Sequence, residues 1–191
     1  IRPEQWQKQI IKEMNKLKKI CSRVFILGSS FGGNLAFDYA SKHRTAGIVT
    51  VGAPILWRKS TLRKVPYYIA KNVKIFQKKK YDYTKVREEI IKKKIQYLNI
   101  PLITLGRVLK FTKKSKKELN NIACPVLIMQ SKLDAVVSRD TPEYIFNSIR
   151  SKIKKIVWFD KAYHVIIIDD TVRKKAFKEV TDFFIHTSKR R

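Results

Sequence analysis

Gly28-Ser29-Ser30-Phe31-Gly32 constrains the fold more than any other stretch of the chain. The β-branched, apolar run Val24 to Leu27 leads into it, and Gly33-Asn34-Leu35-Ala36-Phe37-Asp38-Tyr39-Ala40 leaves it with helical character. Strand, tight glycine turn and helix in that order place a serine on a strained corner, because glycines on either side let strand and helix approach without Cβ atoms between them. Ser30 then projects above the carboxyl end of its strand, the side on which ligands bind in open α/β sheets. Three of the six glycines of the chain, Gly28, Gly32 and Gly33, fall in this one stretch.

The rest of the chain alternates strands and helices. The first helix is predicted from Pro3 and Glu4 onward, with Trp6, Ile10, Met14 and Leu17 on one face. After the serine come three further apolar strands: Ile48 to Val51, Val126 to Gln130 and Lys155 to Phe159. They are apolar throughout rather than alternating in polarity, which is the pattern of a parallel sheet covered on both faces. The fold class is therefore α/β. Thr141 and Pro142 open one helix, and another is predicted to start near Asp169-Asp170-Thr171 with Val172, Ala176, Val180 and Phe183 inward.

Between the second and third of these strands the composition changes. From Trp57 to Leu119 the chain is lysine-rich and helical in period, through Ile69, Val73 and Phe76, then Ile91, Ile95 and Leu98, then Leu102, Leu105 and Leu109, with Pro66 and Pro101 as punctuation. Residues 1–56 and 120–191 are thus read as the core and 57–119 as a helical insertion.

A serine hydroxyl is a poor nucleophile near neutral pH and needs an imidazole as base, itself oriented by a carboxylate. Asp134 and His164 each follow a predicted strand, so Ser30, Asp134 and His164 face one rim of the sheet in the order serine, acid, histidine. Asp134 can equally be read as a turn or cap residue, as Asp140 and Asp160 are. His43, between Lys42 and Arg44, reads as solvated, and His186 lies near a chain end, which leaves His164 as the base by elimination. No pair of histidines has metal-ligand spacing.

The net charge of +28 could signal a polyanionic partner. Yet 31 lysines outnumber 12 arginines, whereas proteins that read bases lean on arginine for bidentate contacts. The charge is read as a solvated surface with weak, salt-sensitive affinity for polyanions, and no dedicated nucleic-acid partner is expected. A basic binding module with a vestigial site is the non-enzymatic alternative. Cys21 and Cys124 are too few for a disulfide framework and are expected as two buried thiols in a reducing cytoplasm. No run of apolar residues is long enough to span a membrane.

The serine turn, the Cys124-Pro125-Val126-Leu127-Ile128-Met129-Gln130 strand with Asp134-Ala135-Val136-Val137, and Tyr163-His164-Val165-Ile166-Ile167-Ile168-Asp169 together resemble the α/β-hydrolase superfamily, in particular the small bacterial carboxylesterases and monoacylglycerol lipases. The similarity runs from about Pro3 to Phe184. It implies Ser30 as nucleophile, Asp134 as acid, His164 as base and the backbone N–H of Phe31 as an oxyanion donor, with a small-molecule ester as substrate and neither cofactor nor metal. A thioesterase, peptidase or carbon–carbon hydrolase would use the same three residues. The family carries a helical cap where 57–119 lies; Tyr67, Tyr68, Ile69, Leu102 and Ile103 on its apolar faces would wall a pocket for an acyl chain or a glycerol monoester, or equally pack the cap against itself. Two positions depart from the family pattern: Ser29 stands where a larger apolar residue is usual, and Ala162-Tyr163 where Ser-Gly usually precedes the histidine. The family also has four strands upstream of the nucleophile strand and a His-Gly loop supplying a second oxyanion donor. The resemblance therefore implies the carboxyl-terminal part of a longer hydrolase, its second donor upstream of residue 1, and poor ester turnover by these 191 residues alone.

Overall fold

The computed structural model describes residues 2–58, 76–78 and 99–189. Helix α1 (Pro3–Ile20) leads into strand β1 (Phe25–Ser29), helix α2 (Phe31–Ala40) and strand β2 (Gly47–Val51). Strands β3 (Phe76–Lys78) and β4 (Asn99–Pro101) form an antiparallel pair, and helix α3 (Leu102–Glu118) starts directly from β4. Strand β5 (Val126–Ser131), helix α4 (Thr141–Ser148), strand β6 (Lys154–Phe159) and helix α5 (Arg173–Ser188) complete the chain.

The main sheet is parallel and has the order β1-β2-β5-β6. Strands β2 and β5 are buried along their whole length, as their uninterrupted apolar character predicts. Period two then sorts their side chains between two cores. Ile48, Val126 and Ile128 pack with Ala36 and Phe37 of α2, Leu119, Ile122 and Ile145. Val49, Val51, Leu127 and Met129 pack on the other face with Phe159, Ile166 and with Ala176, Val180 and Phe183 of α5. Burial of each such side chain stabilises by about 1.5–3 kcal/mol, so this two-sided burial dominates over exposed ion pairs such as Lys16–Glu13. Among the described residues β1 pairs with β2 alone, and Leu27 on it is 39% exposed.

Several expectations are corrected. Phe76, placed by its spacing on a helix, lies in β3, because antiparallel pairing with β4, where it stands opposite Pro101, outweighs a weak helical period. Pro101 ends β4 and forms the N-cap of α3. Leu17, expected on the inner stripe of α1, is 43% exposed, and Met14 is the buried residue of that helix. The last helix starts at Arg173 rather than near Asp169: the Asp169 carboxylate accepts bonds from the Thr171 N–H and hydroxyl, which holds those residues in a turn. Cys21 is exposed, since it caps the solvent-facing end of α1, so only Cys124 is partly covered; neither forms a disulfide.

The helical insertion read at 57–119 lies largely outside the described residues, as do Tyr67, Tyr68 and Ile69. Its last part, α3, packs on α2: the Phe111 and Phe31 rings meet edge to face at 5.4 Å, and the Ser115 hydroxyl donates to the Asn34 carbonyl at 3.3 Å. Leu102 is buried in this arrangement and Ile103 is half exposed.

Candidate active site

The site is assembled where β1, β5 and β6 end. Strand β1 stops at Ser29, and Ser30 turns the chain into α2 with φ 51° and ψ −125°. Ser30 is the one non-glycine residue with positive φ among the described residues, a conformation that costs a side-chain-bearing residue on the order of 1–3 kcal/mol. Its N–H donates to the Val51 carbonyl at 2.7 Å and its carbonyl accepts the Gly33 N–H at 2.9 Å. The turn closes around bare backbone. A Cβ on Gly28 would fall on the Gly32 carbonyl, and one on Gly33 would lie 2.6 Å from the Ala53 Cβ. Gly32, by contrast, has nothing within 4 Å of such an atom. The close approach expected of the flanking glycines is therefore supplied by Gly28 and Gly33, not by Gly32.

Asp134 sits in the turn after β5 and is 1% exposed. Its Oδ1 accepts the Val136 and Val137 N–H groups at 2.8 and 3.0 Å. The turn is laced to the chain after β2, where the Arg58 N–H donates to Val136 and the Ser138 N–H to Leu56. Burial alone would raise the Asp134 pKa. The bond and charge of His164 and the two backbone donors outweigh it and hold the carboxyl below the usual aspartate range.

His164 lies between β6 and the short 3₁₀ turn Ile166–Ile168. Its Nδ1 is 2.8 Å from Asp134 Oδ2 and its Nε2 is 2.9 Å from Ser30 Oγ. With the proton on Nδ1, the imidazole donates to the carboxylate and accepts from the serine hydroxyl. The segment before it is pinned by the Ser131 hydroxyl, which donates to the carbonyl of the fully buried Ala162. Gly52, at the end of β2 with φ +61°, backs the ring: a Cβ there would lie 3.4 Å from His164 Nδ1 and Cε1.

All three residues singled out in the sequence are thus brought together. Phe31 is the first residue of α2, so its N–H has no acceptor within the helix, and its ring is held edge-on by Trp6 at 5.1 Å and by Phe111. His43 is exposed, against the Tyr39 ring, and His186 is exposed on α5. Two residues at the site escaped the sequence reading. Gly52 was visible only as a turn signal. Gln130 is a buried amide whose Nε2 donates to Asp134 Oδ2 at 2.8 Å, and its one trace was a polar residue ending an apolar strand. Among the described residues no group of three or more His, Cys, Asp or Glu side chains could hold a metal ion.

This sheet, with a serine turn after one strand and an acid and a histidine after two others, has the architecture of an α/β hydrolase. The crystal structure of the monoacylglycerol lipase of Paleococcus ferrophilus shares it, with a TM-score of 0.83 at 18% identity over 98% of this chain and 76% of that one. The chain belongs to the family described as serine aminopeptidase, S33, whose model matches residues 7–171. Among curated relatives, it is 27% identical over 168 residues to the thermostable monoacylglycerol lipase of Bacillus sp. (strain H-257), covering 86% of this chain and 64% of that protein. It is 22% identical over 169 residues to the carboxylesterase of Bacillus subtilis (strain 168), covering 87% of this chain and 66% of that protein. The chain therefore spans about two thirds of the length of these relatives.

Proposed function

We propose that the chain carries the catalytic triad of a serine carboxylic-ester hydrolase, of carboxylesterase or monoacylglycerol lipase type, working through an acyl-enzyme. The observation that carries this reading is the continuous relay from Ser30 Oγ through His164 to Asp134, with both links under 3 Å. His164 Nε2 takes the hydroxyl proton as Ser30 Oγ attacks the ester carbonyl. Asp134, held ionised, stabilises the imidazolium and fixes the ring by its Nδ1–H. The Phe31 N–H, at the positive end of α2, donates to the developing oxyanion. His164 then gives its proton to the leaving alcohol, and a water activated by the same imidazole releases the acid.

The names of the relatives favour a carboxylic ester, and the description of the family favours an amide or peptide bond as the second reading. The chemistry of the relay is the same for both. Ser30→Ala is expected to abolish labelling by a fluorophosphonate probe, with mass spectrometry of the parent placing the adduct on Ser30. Labelling that survives the substitution would remove Ser30 as nucleophile. A panel of p-nitrophenyl esters and aminoacyl p-nitroanilides distinguishes the two substrate classes.

A further inference from the structure

Strand β5 is buried on both faces from Val126 to Ser131. Gln130 interrupts its apolar run and is itself only 2% exposed. A primary amide in such a place is costly unless its polar atoms are bonded, so the partner it selects is informative. The amide does not bond to a neighbouring strand carbonyl. Its Nε2 reaches four residues ahead, at 2.8 Å, to Oδ2 of Asp134. That is the oxygen which also faces His164 Nδ1 at 2.8 Å, whereas Oδ1 is taken by the two backbone N–H groups of the turn. Two of these bonds fall on each oxygen, and Gln130 joins the histidine as a side-chain donor to Oδ2.

We propose that Gln130 is a positioning residue for His164, acting through Asp134. Its N–H fixes the rotation of the carboxylate so that Oδ2 presents one lone pair to the imidazole, and it draws off part of the negative charge that the imidazole would otherwise feel. This inference rests on the reading of Ser30, Asp134 and His164 given above. Two consequences follow. Loss of the donor lets the carboxylate turn, so the fraction of His164 in the attacking orientation falls. It also leaves more charge on Oδ2, which favours the protonated imidazole and moves its titration to higher pH. A carboxyl at position 130, buried against the ionised Asp134, keeps its proton and donates it to Oδ2 in place of the amide, so Gln130→Glu restores the donor. An amide that served packing alone would produce neither shift.

The test uses the full chain and the variants Gln130→Met and Gln130→Glu, with the titration of His164 followed by NMR. The chain has three histidines, so comparison with His164→Gln assigns the resonance. The midpoint is expected to rise in Gln130→Met and to stay near that of the parent in Gln130→Glu, whose protonated carboxyl still donates to Asp134. The fluorophosphonate labelling rate at the pH plateau should fall about tenfold in Gln130→Met, the rate equivalent of one lost hydrogen bond. Where the methionine variant fails to fold, Gln130→Leu, smaller and equally without a donor, carries the measurement. Unchanged titration in a folded variant that lacks the donor overturns the proposal alone. Labelling that persists in Ser30→Ala overturns the reading of the site and this proposal with it.

Discussion

At the scale of single residues, the site depends as much on bare positions as on functional groups. Gly52 combines a left-handed backbone with an imidazole against its α-carbon. Gly52→Ala is expected to destabilise the fold by about 1–3 kcal/mol, the usual cost of an L side chain at such a φ. It should also lower the Ser30 labelling rate, because the new methyl presses on His164. Thermal unfolding and probe kinetics on the same sample measure the two effects. Gly32 should behave in the opposite way. It belongs to the Gly-x-Ser-x-Gly pattern, yet it lies in α2 with open space around it. Gly32→Ala is expected to be neutral, or to stabilise by about 0.4–1 kcal/mol through the lower entropy of the unfolded chain. A loss above 1 kcal/mol in urea unfolding would contradict the open space seen there.

At the scale of elements, α1, α2 and α3 are tied together by one buried carboxylate. Asp38 of α2 accepts bonds from Gln7 of α1 at 2.7 Å and from Lys42, and Lys114 of α3 lies 3.4 Å away. Lys42 in turn reaches Glu118 at 3.3 Å. Burial acts to raise the Asp38 pKa, but Lys42, Gln7 and Lys114 together hold it below the ordinary aspartate value. A folded-state value lower than the unfolded one means that this stability is present in full above about pH 4. It is lost as the pH falls through the lowered value. Asp38→Asn should therefore cost about 1–2 kcal/mol at pH 7, a figure reduced for the solvent reaching both lysines, and the deficit should narrow below about pH 4. Urea unfolding of both proteins at pH 7 and pH 3 checks the sign. Only the Lys42 pair, four positions on, was within reach of the sequence; Gln7 lies 31 positions before Asp38 and Lys114 76 after. The strands were legible because two-sided burial leaves an uninterrupted apolar run. So was the convergence of Ser30, Asp134 and His164, since a parallel sheet places every strand end on the same rim. Gln130 and Gly52 were not, because each acts through a neighbour that only the folded chain supplies.

At the scale of the whole molecule, many of the lysines behind the charge of +28 are exposed among the described residues. Lys8, Lys12 and Lys19 of α1 and Lys110, Lys113 and Lys117 of α3 are exposed on the same helical layer. Such a surface should retain the protein on heparin at low ionic strength and release it by roughly 0.2 M salt, as expected of screened contacts without base recognition. Retention well above that concentration, or preference for one nucleic-acid sequence, would assign the lysines a dedicated partner.

The pairing of β5 with β6 has a consequence for the chemistry. Ile128 stands opposite Ile156 and Met129 opposite Val157. One step along a strand is about 3.3 Å, longer than either link of the relay. The apolar pairs act as a ruler: slide one strand by a single notch and Asp134 and His164 no longer meet, with every polar group still present. Oily residues far from the polar cluster thus set the height at which its members face one another.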